Sequence, residues 1–321
     1  MVKRLNKHRF LFEELVKRDF KKKYKRTVLG MGWSMLMPLL TLLVMKVVFE
    51  QFFGRNTPHY TTYLFCGLLV FNWFAESTNS GMRSLYGNAS IFTKVNVPKY
   101  LFLFAGNVQT LINFALTLLV FFFFCALDHV TFTWRFAFLL YPILTLLIFN
   151  IGIGMILSAL FIFFRDMDYL WSVFIQLLMY GSAIFYQVDK MPPDIQQIFA
   201  FNPIYRHIAY AREIVLSGAI PSLTTHLTLA AFALGAFLVG LVGASSEVKE
   251  RLLGMVAPLR AMFAAMFFVS IGLLVDPLAC CRSWLPILIL TLTVILGKGV
   301  NCLVGGIFAG LSLKPAVQMA M

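Results

Sequence analysis

The groups able to do acid–base, nucleophilic or metal chemistry are few in this chain of 321 residues: five histidines, five cysteines and fourteen Asp/Glu. None falls in a catalytic pattern. No His/Glu/Cys cluster has metal-ligand spacing, so neither metal nor cofactor is expected. Cys66, Cys125, Cys280, Cys281 and Cys302 mostly lie in apolar runs and read as reduced core or lipid-facing residues. His59, His129, His207 and His226 fall near turns or segment ends, where interfacial hydrogen bonding is the plainer role. Gly297-Lys298-Gly299 lacks the upstream glycine of a phosphate loop and sits in an apolar run. No catalytic residue is assigned, and the chain is expected to hydrolyse no ATP of its own.

The elements that could position other functional groups are membrane helices. The chain is 60% hydrophobic and 13% charged, with a mean hydropathy of +0.82. This excludes a soluble domain and predicts an all-α polytopic membrane protein. Residues 1–27 hold eleven Lys/Arg against three acids, which accounts for +8 of the net +13. Such asymmetry is the positive-inside signal and not a nucleic-acid footprint, so the N-terminus is expected in the cytoplasm. Phe12, Val16, Phe20 and Tyr24 recur every four residues beside Leu15. They make the apolar stripe of an amphipathic helix whose cations face anionic lipid. That helix is either a topology anchor or also a docking element. No cleavable signal peptide is expected in so charged a leader.

Six spans are predicted, at about 29–53, 60–76, 100–127, 136–164, 169–188 and 227–242. Lys46 and Glu50, four apart in the first, read as a pair or as lining for a conduit. Asn107, Gln109 and Asn113 predict hydrogen bonds between helices. Between spans two and three, Ile91, Phe92, Val95 and Val97 stand among polar residues. They suggest a short interfacial helix stopped by Pro98, or a plain connecting loop. Asp189–Ser222 is too polar to span and too apolar for a free loop. Two short helices dipping into the outer face, hinged at Asn202-Pro203, account for it. Beyond Ser245 two further apolar stretches follow, the last with Lys298 in its middle.

Residues 10 to about 225 resemble the membrane subunit of ABC-type polysaccharide exporters, which move O-antigen, capsule or teichoic acid precursors. The resemblance rests on Arg18-Asp19, Tyr24, Leu29-Gly30, Trp33 and Pro38, then on Asn88 to Pro98 and Arg165-Asp166, and finally on Pro193, Asn202-Pro203, Arg212, Gly218 and Pro221. Residues from about 230 to 321 resemble part of a potassium-efflux-type cation:proton antiporter, through Ala233–Glu247, Pro258–Pro277 and Gly297-Lys298. The acidic pair that such antiporters carry in an earlier span has no counterpart here. A fusion, or two joined reading frames, is the plainest account. The organisation expected is an interface helix at 1–28, a permease domain at 29–228 and an antiporter-like tail at 229–321 that shares span six.

The exporter resemblance implies a homodimer in the bacterial inner membrane, with membrane lipid and a lipid-linked glycan as ligands and a separate ABC ATPase as partner. The ATPase would couple through Ile91, Phe92, Lys94, Val95 and Val97, with Arg18, Arg165 and Asp166 alongside. Pro193, Asn202, Pro203, Arg212, Gly218 and Pro221 would form an outer gate. Trp33, Trp73, Tyr180 and Tyr186 are either faces for sugars along a conduit or anchors at the membrane interface. A cation/proton antiporter and a non-functional hybrid of the two families are the competing readings.

Overall fold

The computed structural model describes residues 9–24, 29–30, 32–54, 57–92, 98–243, 285–286, 289 and 291–293. The chain divides into two compact units, Met1–Lys249 and Glu250–Met321. In the second unit only short helical pieces within 285–293 are described. No strand occurs among the described residues, and the protein is an all-α polytopic membrane protein.

Ten α-helices are described in the first unit: α1 Arg9–Tyr24, α2 Gly32–Phe53, α3 Tyr60–Arg83, α4 Ala89–Phe92, α5 Tyr100–Leu127, α6 Leu140–Phe163, α7 Met167–Gly181, α8 Pro193–Ala200, α9 Pro203–Leu216 and α10 Leu223–Gly243. Four described helical stretches are long and apolar enough to cross a membrane: α2, α5, α10, and Trp134–Phe163, which joins a short 3₁₀ turn to α6. The other two expected spans differ from expectation. α3 runs on to Arg83, seven residues past Glu76, because the polar stretch after Glu76 continues the helix against α5 and α6. α7 stops at Gly181, and 182–187 leave helical geometry.

α3 is the hub. It packs on α5, α6 and α9 and more lightly on α2, and its face from Leu64 to Phe74 forms the centre of the main core. Phe65 meets Phe121 edge-on at 5.6 Å, and Trp73 stacks on Phe114 at 4.2 Å. α2 and α7 contribute little to this core, Leu42 being the one fully buried member that the two supply among the described residues. Met37, Val47 and Phe52 of α2 and Tyr169, Leu170 and Leu177 of α7 are exposed apolar side chains.

Polar groups inside this apolar bundle find partners across helices, as hydrocarbon surroundings demand. Asn107 accepts from Ser77 at 2.6 Å, and Asn113 donates to Glu76 at 2.8 Å. Gln109 Nε2 has no partner among the described residues. Pro38 lacks an N–H, which leaves the Ser34 carbonyl without its helical donor. Thr117 of α5 donates to that carbonyl at 3.3 Å and so ties α2 to α5. Lys46 and Glu50 approach to 3.8 Å, partly exposed.

The tightest crossing joins α6 and α10. A Cβ at Gly152 would stand 2.4 Å from the Ala236 carbonyl carbon, and one at Gly240 would stand 2.5 Å from the Gly152 oxygen. Only glycine permits this approach. Leu229 and Ala233 of α10 are buried in the main core, and Tyr141 donates to the His226 carbonyl at 2.6 Å. Gly240→Leu is expected to destabilise the bundle by about 1–3 kcal/mol through overpacking against backbone. A thermal midpoint in detergent no lower than that of the wild type would contradict this crossing.

Candidate functional site

The Arg83 end of α3 gathers several of the residues singled out in the sequence. Arg18 of α1 holds Asp19 at 2.6 Å and reaches Asn88 Oδ1 at 2.7 Å. Asn88 in turn donates to the Ser84 carbonyl at 2.8 Å, so α1 is latched to the turn between α3 and α4. Leu15 is buried against Phe102 and Ala105, with Leu11, Phe12, Val16 and Ile91 packed around them. The stripe of α1 from Leu11 to Val16 therefore covers protein, namely the start of α5 and Ile91 of α4. On its exposed face, hydrogen bonding to Arg9 holds the Glu13 carboxyl below its usual value, and Glu14 raises Lys17.

The turn between α6 and α7 docks on the same segment. The Arg165 guanidinium lies 4.0 Å above the Tyr86 ring. Asp168 takes a bidentate pair from Arg83 at 2.6 and 2.8 Å. Asp166 starts α7 with its backbone and makes no side-chain cap. Arg18, Ile91 and Arg165 are thus brought to one segment, 83–91. Phe92 closes α4, and Lys94, Val95 and Val97 lie outside the described residues. Arg83, Tyr86 and Asp168 escaped sequence reasoning, because partners 85 residues apart leave no local pattern.

The Tyr60 end of α3 meets the segment 182–187 and the two short helices. Pro193 and Pro203 open α8 and α9 at the position where a missing N–H costs nothing. Asn202 caps α9, accepting from Ile204 N at 2.9 Å and Tyr205 N at 3.2 Å. Its amide also donates to the Gly181 carbonyl at 2.8 Å, which pins the end of α7. Gly218 has φ +57 and is held by Arg135, which donates to its carbonyl. Pro221 is buried beside it.

Arg212 is 7% exposed and has no carboxylate among its hydrogen-bond partners. It donates to the carbonyls of Ala183 at 2.9 Å, Ile184 at 2.8 Å and Tyr63 at 3.2 Å, and lies 3.5 Å above the Tyr63 ring. Gly67 makes room for it, since a Cβ there would sit 2.8 Å from Arg212 Nη2. The next two carbonyls are taken by α3: Tyr60 donates to Phe185 at 3.1 Å and Tyr63 to Tyr186 at 2.6 Å.

The four aromatics expected along a conduit fall into two groups. Trp33 and Trp73 line one cleft of about 520 Å3 between α2, α3 and α5. Tyr180 and Tyr186 meet elsewhere, Tyr186 donating to the Tyr180 carbonyl at 2.6 Å. No cluster of metal-binding side chains occurs among the described residues.

The sequence profile described as ABC-2 type transporter matches residues 11–216, which is α1 through α9. This chain belongs to the ABC-2 type transporter family. It is 30% identical to the O-antigen export system permease protein RfbA of Klebsiella pneumoniae over 66% of this chain and 83% of that protein. It is 25% identical to the polysialic acid transport protein KpsM of Escherichia coli over 71% of this chain and 90% of that one. Residues 214–321 match the profile of the sodium/hydrogen exchanger transmembrane region. Over 145 residues the chain is 33% identical to the K(+)/H(+) antiporter subunit KhtU of Bacillus subtilis, 34% of whose length it spans. The ABC-2 profile match therefore ends with α9, and the exchanger match takes in the whole of α10.

One outcome follows for this ABC-2 protein. Arg212→Met removes donors from buried carbonyls, each worth about 1–3 kcal/mol when left unpaired. Its thermal midpoint should drop clearly below that of Arg212→Lys, which keeps one donor group. Equal midpoints for Met, Lys and wild type would remove the guanidinium from the folding account.

Proposed function

We propose that the chain is the membrane subunit of an ABC transporter that exports a lipid-linked polysaccharide, or a related cell-envelope polymer, across the inner membrane. Separate ATPase subunits drive it. The family match over α1–α9, shared with relatives named for O-antigen and polysialic acid transport, carries this reading.

In this reading α2, α3, α5, the Trp134–Phe163 stretch, α7 and α10 form six spans, with the N-terminus cytoplasmic. Two copies meet through α2 and α7, which expose Met37, Val47, Phe52, Leu170 and Leu177 among the described residues. Two ATPase subunits dock below, on the segment around Ile91 and Phe92 that continues to Val97. The latches support this. A push on α4 is felt at once by α1 through Arg18–Asn88, by α3 through its last turn, and by α7 through Arg165–Tyr86 and Arg83–Asp168. ATP can then bias the bundle only by binding its two states differently. At the other end of α3, α8 and α9 with Pro193, Asn202, Pro203, Arg212, Gly218 and Pro221 form the outer gate. The antiporter alternative draws on the match at 214–321, and Ile214–Gly243 holds no Asp or Glu with which to bind a cation.

An N-terminally tagged chain, purified in mild detergent from its native membrane, should retain a nucleotide-binding ATPase identifiable by mass spectrometry. Ile91→Asp should cut that recovery about tenfold while the permease itself stays folded. Recovery of the intact chain with no ATPase would overturn the reading.

A further inference from the structure

A second cleft opens at the Arg83 end of the bundle, where the start of α5 and the ends of α6 and α10 stand around Leu85. Its volume of about 640 Å3 lies in the range of small-ligand sites, about 300–1,000 Å3. Leu103, Met155 and Ser158 are its buried residues, and Ile162 and Leu241 are exposed at its rim. Ser158 donates its hydroxyl proton to the Met155 carbonyl of its own helix at 3.0 Å, so the depth of the cleft is apolar in effect. Gly243 belongs to the lining, and a Cβ added there would meet no described atom within 4 Å. Among the described residues of the lining, Lys99 carries the one charge, and it is exposed where α5 begins. The three helices that form the walls contain no Asp or Glu. The first turn of α5 adds the positive end of a helix dipole beside that lysine.

From this we infer that the cleft holds an anionic glycerophospholipid of the bilayer, with its tails between α5, α6 and α10 and its phosphate at Lys99. Water in so apolar a cleft would find few partners, whereas lipid tails entering past Ile162 and Leu241 meet matching surface. A basic pocket between spans at the membrane surface is the arrangement that takes acidic headgroups. The Lys99 ammonium has three donors, so a phosphate oxygen can join any other acceptor that it serves. A zwitterionic lipid would bring its own cation to the same place and gain less from a positive site. The inference goes beyond the export reading and does not rest on it. Neither α2 nor α7, the helices that reading places between the two copies, contributes to the lining among the described residues. A bilayer lipid therefore suits the cleft better than a polymer in transit. Leu241 and Gly243 fall in the exchanger match and the residues of α5 and α6 in the ABC-2 match, so this lipid would also bridge the join between them.

The test uses the full chain, stripped of lipid in mild detergent and titrated with phosphatidylglycerol or with phosphatidylcholine of the same tails. Native mass spectrometry reads the apparent Kd of the tightest adduct. The wild type should hold phosphatidylglycerol about fivefold or more tighter than phosphatidylcholine. Lys99→Gln should close that gap to within about twofold, and Lys99→Arg should restore it. Gly243→Phe fills the cleft and should weaken both lipids about tenfold, whereas Gly243→Ala should bind as the wild type does. Thermal midpoints equal to that of the wild type establish that the variants fold, and the exposed Lys99 tests the site even where Phe at 243 is not tolerated. Equal binding of both lipids by the wild type, an unchanged gap in Lys99→Gln, or no retained lipid at all overturns the assignment. Loss of a dimer in Gly243→Phe with lipid binding intact gives the cleft to a second copy and overturns it too. Displacement of phosphatidylglycerol by a tenfold lower concentration of a polyprenyl phosphate gives the cleft to a carrier lipid instead. None of these results decides the export reading, which stands or falls on the retained ATPase.

Discussion

The buried guanidinium of Arg212 is the contact on which the Tyr60 end of the bundle depends. Segment 182–187 is non-helical, and Ala183, Ile184 and Phe185 are all 2% exposed or less. Non-helical backbone at this depth is tolerable only when its polar groups are satisfied by protein. Here four consecutive carbonyls, from Ala183 to Tyr186, are each taken by a side chain: two by Arg212, one by Tyr60 and one by Tyr63. An arginine suits this better than a lysine, because its planar fork reaches diverging acceptors and its weaker hydration lowers the cost of burial. The same side chain also grips Tyr63, so α9, α3 and the exit of α7 move together or not at all.

That coupling makes α3 a rod with a clamp at each end. Its Tyr60 end is bound to the break after α7 through Tyr60 and Tyr63. Its Arg83 end is bound to the start of α7 through Arg83–Asp168, and Trp171 of α7 reaches Thr78 of α3 at 3.3 Å between them. α7 is therefore fastened to α3 at both ends while no side chain along it is fully buried among the described residues. A helix held this way can transmit a displacement along its length without being locked into the core. α2 is attached differently, through Thr117 at Ser34 and through light packing on α3, and it forms one wall of the cleft that holds Trp33.

Much of this was legible in the sequence where the signal is local. Pro193, Pro203 and Asn202 announce helix starts by their own backbone chemistry, and α8 and α9 begin where those residues stand. The amphipathic period of α1 was equally plain, yet period alone did not say what its stripe covers. Leu15 and Phe12 read as the apolar stripe of an interfacial helix, and they lie against α5 and Ile91 because the chain returns there after α3. The end of α7 was overrun for a related reason. Phe185 and Tyr186 are apolar enough to extend a span, and only the distant donors Tyr60, Tyr63 and Arg212 make leaving the helix affordable. Glu76 was read as the end of a span, and the cleft around it became visible only when Asn113 and the two tryptophans converged from three helices.

The last helix of the bundle shows how little a membrane interior asks of sequence. α10 lies within the exchanger match, yet it is packed against α6 more closely than any other pair of helices here. Lipid tails are as apolar as leucine, so helices in a bilayer gain little from hydrophobicity and much from close fit. Gly240 over Gly152 supplies that fit, and Leu229 and Ala233 fill the core beside it. The polar end is served by His226, which accepts from Tyr141 through its carbonyl and pairs with Tyr210 at 2.8 Å through Nε2. Tyr141 and Tyr210 belong to the ABC-2 match and His226 to the exchanger match. The join between the two patterns is therefore a packed interface, made by small residues facing small residues and by tyrosines that accept any suitably placed partner.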